Sequence, residues 1–200
     1  MLALISSLVL CGVPFSADGV AGLKPFDFIE EVGGIRVESR EVKDSSFSEL
    51  RLSTVSPKSV EALCAAAFGD GSIPPGDPYL RERRVLSAAS DERVTYDRVT
   101  PPLISERDFA MRVRRLREGT SCFVRFELAN EVAPPPVRGR VRLSRLAGMW
   151  RFVRAANGQT EVTYTAHSEP GGDVSAFIAE GPRLRTEIDV VRRTLARATR

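Results

Sequence analysis

The sequence predicts an α+β domain in which a curved antiparallel sheet wraps around a long C-terminal helix. Three observations lead there. Between Tyr79 and His167 the apolar residues recur with a period of two, broken at short intervals by Ser-Asp, Pro-Pro, Glu-Gly, Pro-Pro-Pro and Asn-Gly, which is the rhythm of an antiparallel meander. Beyond Gly172 the period becomes helical, with Phe177, Leu184, Ile188, Val191 and Leu195 on one stripe. A sheet with one wet side and a helix with one apolar stripe bury both surfaces when the stripe packs on the concave face of the sheet.

The chain begins with an apolar stretch from Leu2 to Phe15, followed by small residues from Ala17 to Gly22, as in a secretory signal cleaved after Ala17 or Ala21. It is too short for a transmembrane helix and carries no Lys or Arg ahead of its apolar core, so an N-terminal arm is the alternative. Residues 1–21 are therefore set apart as a signal or arm, and one domain is expected over residues 26–200. The protein would be exported, periplasmic or secreted, in the first case and cytoplasmic in the second.

Gly33-Gly34 punctuate the chain before Ile35–Glu41, where Ile35, Val37 and Ser39 would face inward from a half-buried strand. Asp44-Ser-Ser turns the chain, and Leu50, Leu52 and Thr54 continue the same period on the returning strand. A short helix follows, with Ser56 expected as its cap, Pro57 at its first position, and Val60, Leu63, Cys64 and Ala67 on its inner face. The run 69–78, rich in glycine and proline, cannot continue that helix and reads as a surface loop. Strands are expected at Arg83–Ser87, Arg93–Thr100, Asp108–Leu116, Cys122–Ala129, Arg140–Leu146, Trp150–Ala155 and Thr160–Ala166. In the final helix, Gly181-Pro182 should break or kink the chain after the first turns.

Composition narrows the function classes. With 42% hydrophobic and 28% charged residues the 200-residue chain falls in the soluble globular class, long enough for one well-cored domain. Its net charge of +3 is interspersed, and its lysines are only Lys24, Lys43 and Lys58. That pattern is a solvated surface, with docking to anionic membranes as the functional alternative; no nucleic-acid motif or lysine stripe is present. Cys11, Cys64 and Cys122 have no metal-like or paired spacing, so Cys64 and Cys122 are expected as buried free thiols, one internal disulfide being the alternative. One histidine, His167, offers little to a hydrolase or a metal site, and no nucleophile elbow, Walker or dinucleotide fingerprint occurs; no catalytic residue, metal or cofactor is assigned.

Two segments carry a resemblance. Arg93-Val-Thr-Tyr-Asp-Arg-Val-Thr-Pro-Pro-Leu-Ile-Ser-Glu-Arg-Asp-Phe109 and Glu161-Val-Thr-Tyr-Thr-Ala-His-Ser-Glu-Pro-Gly-Gly172, followed by the long helix, resemble the START family, the StAR-related lipid-transfer domains. The resemblance covers roughly Phe26 to the C-terminus. It implies a helix-grip fold enclosing a hydrophobic cavity, and a protein that binds, transfers or senses one lipid or other apolar small molecule, with transient membrane contact. It does not address oligomeric state. The related enzyme class, polyketide cyclases and aromatases, uses the same cavity and is the alternative function, with Arg107, Tyr96 and Asp97 as its polar groups.

The resemblance also nominates residues. In phosphatidylcholine-binding members the Arg matching Arg107 engages the lipid phosphate; the competing role, which we favour, is an ion pair with Asp108 or another carboxylate. Thr100 stands where that subgroup has an aromatic that contacts choline, so one wall of a choline cage is missing. An acidic residue of sterol-binding members lies near Asp97, while its basic partner would fall at Val113. Tyr96 and Asp97 are successive, so only one can point inward from a regular strand. Phe177 replaces the family's usual Trp, and Glu180-Gly-Pro stands where a polar residue is usual. Expected cavity walls are Val94, Phe109, Met111, Phe126, Val162, Tyr164, Phe177, Leu184 and Ile188, with Gly181-Pro182 and the loops 70–77 and 132–139 as candidate lids.

Overall fold

The computed structural model describes residues 24–199. The expected signal or arm and Cys11 lie outside the described residues. Among the described residues, ten strands and two α-helices follow one another as β1 (Asp27–Val32), β2 (Ile35–Arg40), β3 (Glu49–Ser56), α1 (Val60–Phe68), β4 (Leu80–Ala88), β5 (Glu92–Val99), β6 (Arg107–Glu118), β7 (Ser121–Leu128), β8 (Val141–Arg142), β9 (Arg145–Arg154), β10 (Thr160–Glu169) and α2 (Ala176–Arg197), with one 3-10 turn at Asn130–Val132. The strands form one curved sheet in the order β1-β2-β3-β10-β9-β7-β6-β5-β4, with antiparallel neighbours throughout; the two-residue β8 lies off this path, parallel to β6. The sheet and helix expected from the sequence are the architecture observed.

The differences from expectation have local causes. Strand β1 was not anticipated because Asp27–Val32 shows no clean alternation, and its pairing with β2 carries a bulge between Phe28 and Glu30. It is joined to β2 through Gly33 and Gly34 at φ 60° and 75°, the left-handed pair that a tight hairpin turn requires. The cap of α1 is Ser59, whose side chain accepts from the Ala62 N–H, and not Ser56. The ladder explains it: Ser56 still pairs with Thr160 in the sheet, so the chain cannot turn into a helix before it has left β3. Arg140–Leu146 is not one strand. Its first part runs beside β6 as β8, and its end already belongs to β9, which carries Trp150 in its middle. Helix α2 continues through Pro182, which sits seven residues in.

Cys64 and Cys122 are joined in a disulfide across a Cα–Cα distance of 6.1 Å, tying α1 to β7. This corrects the expectation of free thiols. The spacing of 58 residues hid the pair, because only the packing of α1 on β7 brings the two positions together.

The main core lies between the inner sheet face, α1 and the apolar stripe of α2. Val37, Leu52, Val124, Phe152, Val162 and Val191 are almost fully enclosed. Trp150 packs on Tyr164 with ring centroids 4.4 Å apart, and Phe126 stacks on Tyr164 at 5.8 Å. Gly148 makes this packing fit: a Cβ there would lie 2.3 Å from both Phe126 Cζ and the Thr165 carbonyl oxygen.

Candidate ligand-binding site

Core packing does not fill the whole concavity. Between β4, β5, β6 and α2 lie two adjoining compartments of about 300 Å³ and about 290 Å³, which share Leu80, Arg83, Met111, Leu146, Glu187 and Val190 as walls. The first lies beside α1 and is lined by Phe68, Thr95, Val113, Phe126, Trp150 and Tyr164. The second, the more apolar, lies beside the 101–105 loop and is lined by Val99, Leu103, Ile104, Phe109, Ile178 and Pro182.

Strand parity decides which residues reach this space. On β5, Thr95, Asp97 and Val99 point inward, opposite Arg107, Phe109 and Met111 of β6. Val94 and Tyr96 therefore point to the outer face, and the expectation that they line the cavity is corrected. Val94 packs with Ala110 and Ala129 in a separate small cluster. The Tyr96 hydroxyl donates to Asp108 Oδ2 at 2.7 Å, with the Arg84 guanidinium 4.7 Å above its ring. Both Tyr96 and Asp97 are buried although they face opposite ways, because the segment 129–143 crosses the outer face of the sheet here.

The remaining nominated residues divide in the same way. Phe109, Met111, Phe126 and Tyr164 line the compartments. Val162 lies in the core, as does Ile188, with Leu184 packed against it. Thr100 follows β5 with its backbone N–H donating to Tyr79 O and does not reach the cleft. Phe177 is 97% exposed, on the first turn of α2, where it covers nothing. From Leu184 onward the apolar stripe of α2 thus packs into the core, whereas the cleft is walled by the neighbouring stripe: Ala179, Arg183, Thr186, Glu187, Val190 and Thr194. One residue along a helix is a rotation of about 100°, enough to exchange a core face for a cavity face.

Arg107 is 2% exposed, and its guanidinium donates to carbonyl oxygens on either side of the loops it joins: Nε to Pro170 O at 3.1 Å, Nη2 to Gly171 O at 3.2 Å, and Nη1 to Ser105 O. Nη1 also donates to Ser105 Oγ at 2.8 Å. The favoured ion pair with Asp108 is therefore corrected: Asp108 faces the other way and takes Arg142 at 2.7 Å instead. Arg107 ties the start of β6 to the Pro170-Gly171 turn, and burial lowers its pKa.

Asp97 does have a basic partner, from the neighbouring strand β4 and not from the position of Val113. Arg83 of β4 grips it with two bonds, Nε to Oδ1 at 2.8 Å and Nη2 to Oδ2 at 2.5 Å. Burial opposes the Arg83 charge, and the Asp97 carboxylate more than offsets this, leaving the Arg83 pKa raised. Further along the cleft the Tyr164 hydroxyl donates to Glu187 Oε2 at 2.7 Å. Burial pushes the Glu187 carboxyl up, against the opposing effects of Tyr164 and Arg183, and burial with the adjacent Glu187 pushes Tyr164 well up. His167 sits at a strand end with Nε2 3.2 Å from Phe47 O and 3.1 Å from Ser45 Oγ, and burial lowers its pKa.

Arg83, Glu187 and the arginines of the α2 cleft stripe escaped the sequence reading because charged residues off an apolar stripe look like a solvated face. The signal that could have found them is the second stripe itself, in which 183, 187, 190, 194 and 197 repeat with helical spacing.

Comparison with known proteins bears on the fold. No family model matches the chain. An uncharacterized protein of Pseudomonas aeruginosa is 24% identical over 183 residues, covering 90% of this chain and 89% of its own. Among solved structures, a STAR-related lipid transfer protein from Xanthomonas axonopodis superimposes with a TM-score of 0.76 at 22% identity, covering 86% of this chain and 97% of that one. Human StAR-related lipid transfer protein 5 superimposes at 0.75 and 15% identity, covering 90% and 88%. The Zhui aromatase/cyclase of a Streptomyces species shares the fold more distantly, at 0.51 and 11% identity over 75% and 92%. The chain therefore has the START-type helix-grip fold.

Proposed function

We propose that this domain binds one apolar small molecule, a single-chain or ring lipid, between its sheet and α2. The observation that carries the reading is the unfilled, largely apolar cleft in a domain whose core is otherwise closely packed. Its size suits one drug-sized or single-chain molecule better than a two-chain phospholipid. The driving force is desolvation, at about 25 cal/mol per Å² of apolar surface removed from water, and the few inward polar groups orient the ligand. The names of the similar structures, lipid transfer proteins in two cases, support the same reading.

Leu103 and Ile178 are exposed at the end of the cleft beside the 101–105 loop, and Phe177 is exposed next to Ile178 on the first turn of α2. Large apolar side chains exposed together at a cavity mouth suit transient contact with a membrane, from which a lipid would enter. The Cys64–Cys122 disulfide suits an oxidising compartment and so supports export.

Native mass spectrometry of the purified protein, with organic extraction and identification of what co-purifies, tests the reading. A stoichiometric lipid is the expected result. A protein that arrives empty and takes up no lipid from liposomes would overturn it and favour the second reading, a cyclase-like enzyme. The observation behind that second reading is the Tyr164–Glu187 pair, a buried proton-bearing couple facing the cleft.

A further inference from the structure

The compartment beside α1 has a surplus of positive charge. Arg83, Arg93, Arg193 and Arg197 all line it. Two of them are matched: Arg83 by Asp97, and Arg193 by Asp77 at 3.5 Å. Arg93 and Arg197 form no ion pair with any carboxylate among the described residues. Arg93 Nη1 donates to the carbonyls of Phe68 and Gly69 at 3.1 and 2.8 Å, the guanidinium lying 4.6 Å above the Phe68 ring. Arg197 Nη2 donates to Ala66 O at 3.4 Å and Thr194 Oγ1 at 3.3 Å. The nearby Asp70 is exposed and taken up by the Ser72 N–H and hydroxyl at 2.8 and 2.6 Å. Glu187, the remaining acid in the wall, is occupied by Tyr164, and burial favours its neutral form.

A second observation points the same way. Thr95 lines this compartment at 2% exposure, and its hydroxyl has no hydrogen-bond partner. Arg93 Nε, on the same strand, is likewise buried and unpartnered. Buried polar groups without partners carry a desolvation cost unless a ligand supplies the missing bond. Here the missing partners are acceptors for a guanidinium N–H and for a hydroxyl, beside uncompensated cations.

We propose that the compartment beside α1 holds the anionic oxygens of a single-chain amphiphile, a carboxylate or a phosphate monoester, between Arg93, Arg197 and the Thr95 hydroxyl. The inference rests on the ligand-binding reading and deepens it. The anionic head lies at the α1 end, and the tail extends past Met111 and Leu146 into the more apolar compartment toward the 101–105 loop. Arg107, whose guanidinium is spent on carbonyls, is not the head-group residue.

Trp150 is the chain's one tryptophan and lines this compartment, so its emission reports occupancy. The test titrates the full chain with dodecanoic acid, dodecyl phosphate and dodecanol, which share one tail. The acid, the phosphate or both should bind at least about tenfold more tightly than the alcohol, the size of one charge-assisted hydrogen bond, with an advantage that shrinks as salt is added. The tighter of the two anions identifies the head group. Arg93→Gln and Arg197→Gln should each bring the anion-to-alcohol ratio down toward one, and Thr95→Val should lower it less. If a variant fails to fold, the wild-type ratio and its salt dependence decide alone. Equal binding of all three compounds would overturn the anionic site while leaving apolar ligand binding intact. If none of them changes Trp150 emission and no lipid co-purifies, the ligand-binding reading itself falls.

Discussion

Reducing the Cys64–Cys122 bridge should destabilise this domain by an amount that the chain itself sets. The two cysteines are 58 residues apart, and the loop between them runs from α1 through β4, β5 and β6 to β7. The cross-link restricts the unfolded chain, and the loop-entropy relation for that length gives about 4 kcal/mol at 25 °C. For a domain of this size each kcal/mol shifts the melting temperature by about 2–4 °C, so the reduced protein should melt about 8–16 °C lower. Both cysteines are 1% exposed, so reductant should act only after unfolding, and the comparison is between samples refolded with and without it. The assay is urea unfolding of the two samples, followed by Trp150 emission. Alkylation of the unreduced protein under denaturing conditions accompanies it, read by peptide mass. Labelling of both Cys64 and Cys122 in that sample, or coincident unfolding curves, would refute the bridge and with it the structural support for an oxidising compartment.

Three further outcomes follow from the geometry. Gly148→Ala places a Cβ against Phe126 and the Thr165 carbonyl, so it should lose about 1–3 kcal/mol in urea unfolding; an unchanged midpoint would mean that β9 and β10 separate more easily than their ladder suggests. The Glu187 pKa is raised in the folded state, so its contribution is fully present below the ordinary carboxyl pKa and is lost as pH rises through the folded value. Glu187→Gln cannot ionise, and its stability relative to wild type should therefore increase from pH 4 upward; parallel curves would show that Glu187 is charged in the cleft. Phe177→Asp should slow lipid transfer between vesicles severalfold at unchanged melting temperature, since that side chain covers nothing in the fold. A transfer rate equal to wild type would remove the first turn of α2 from the docking surface.

Periodicity and its immediate consequences were legible along the chain before any contact was known. Alternation identified β5, β6, β7 and β10, and the inner faces of β2 and β3, because a strand in a one-sided sheet must send every second residue into the core. The apolar stripe of α2 was legible for the same reason. Phe109, Met111, Phe126 and Tyr164 were nominated as walls and do line the cleft. Contacts made across space came from the packed fold: the 58-residue disulfide, Arg83 reaching Asp97 from the edge strand, and Arg107 tied to carbonyls of a turn 63 residues away. The fold also decided that Tyr96 and Val94 lie behind the sheet and that a charged stripe of α2 faces inward. A pattern of polar and apolar residues cannot distinguish water from a polar cavity, because both accept the same side chains. That distinction depends on which surface lies opposite, and here the opposite surface is supplied by β4, β5 and β6, about 100 residues earlier in the chain.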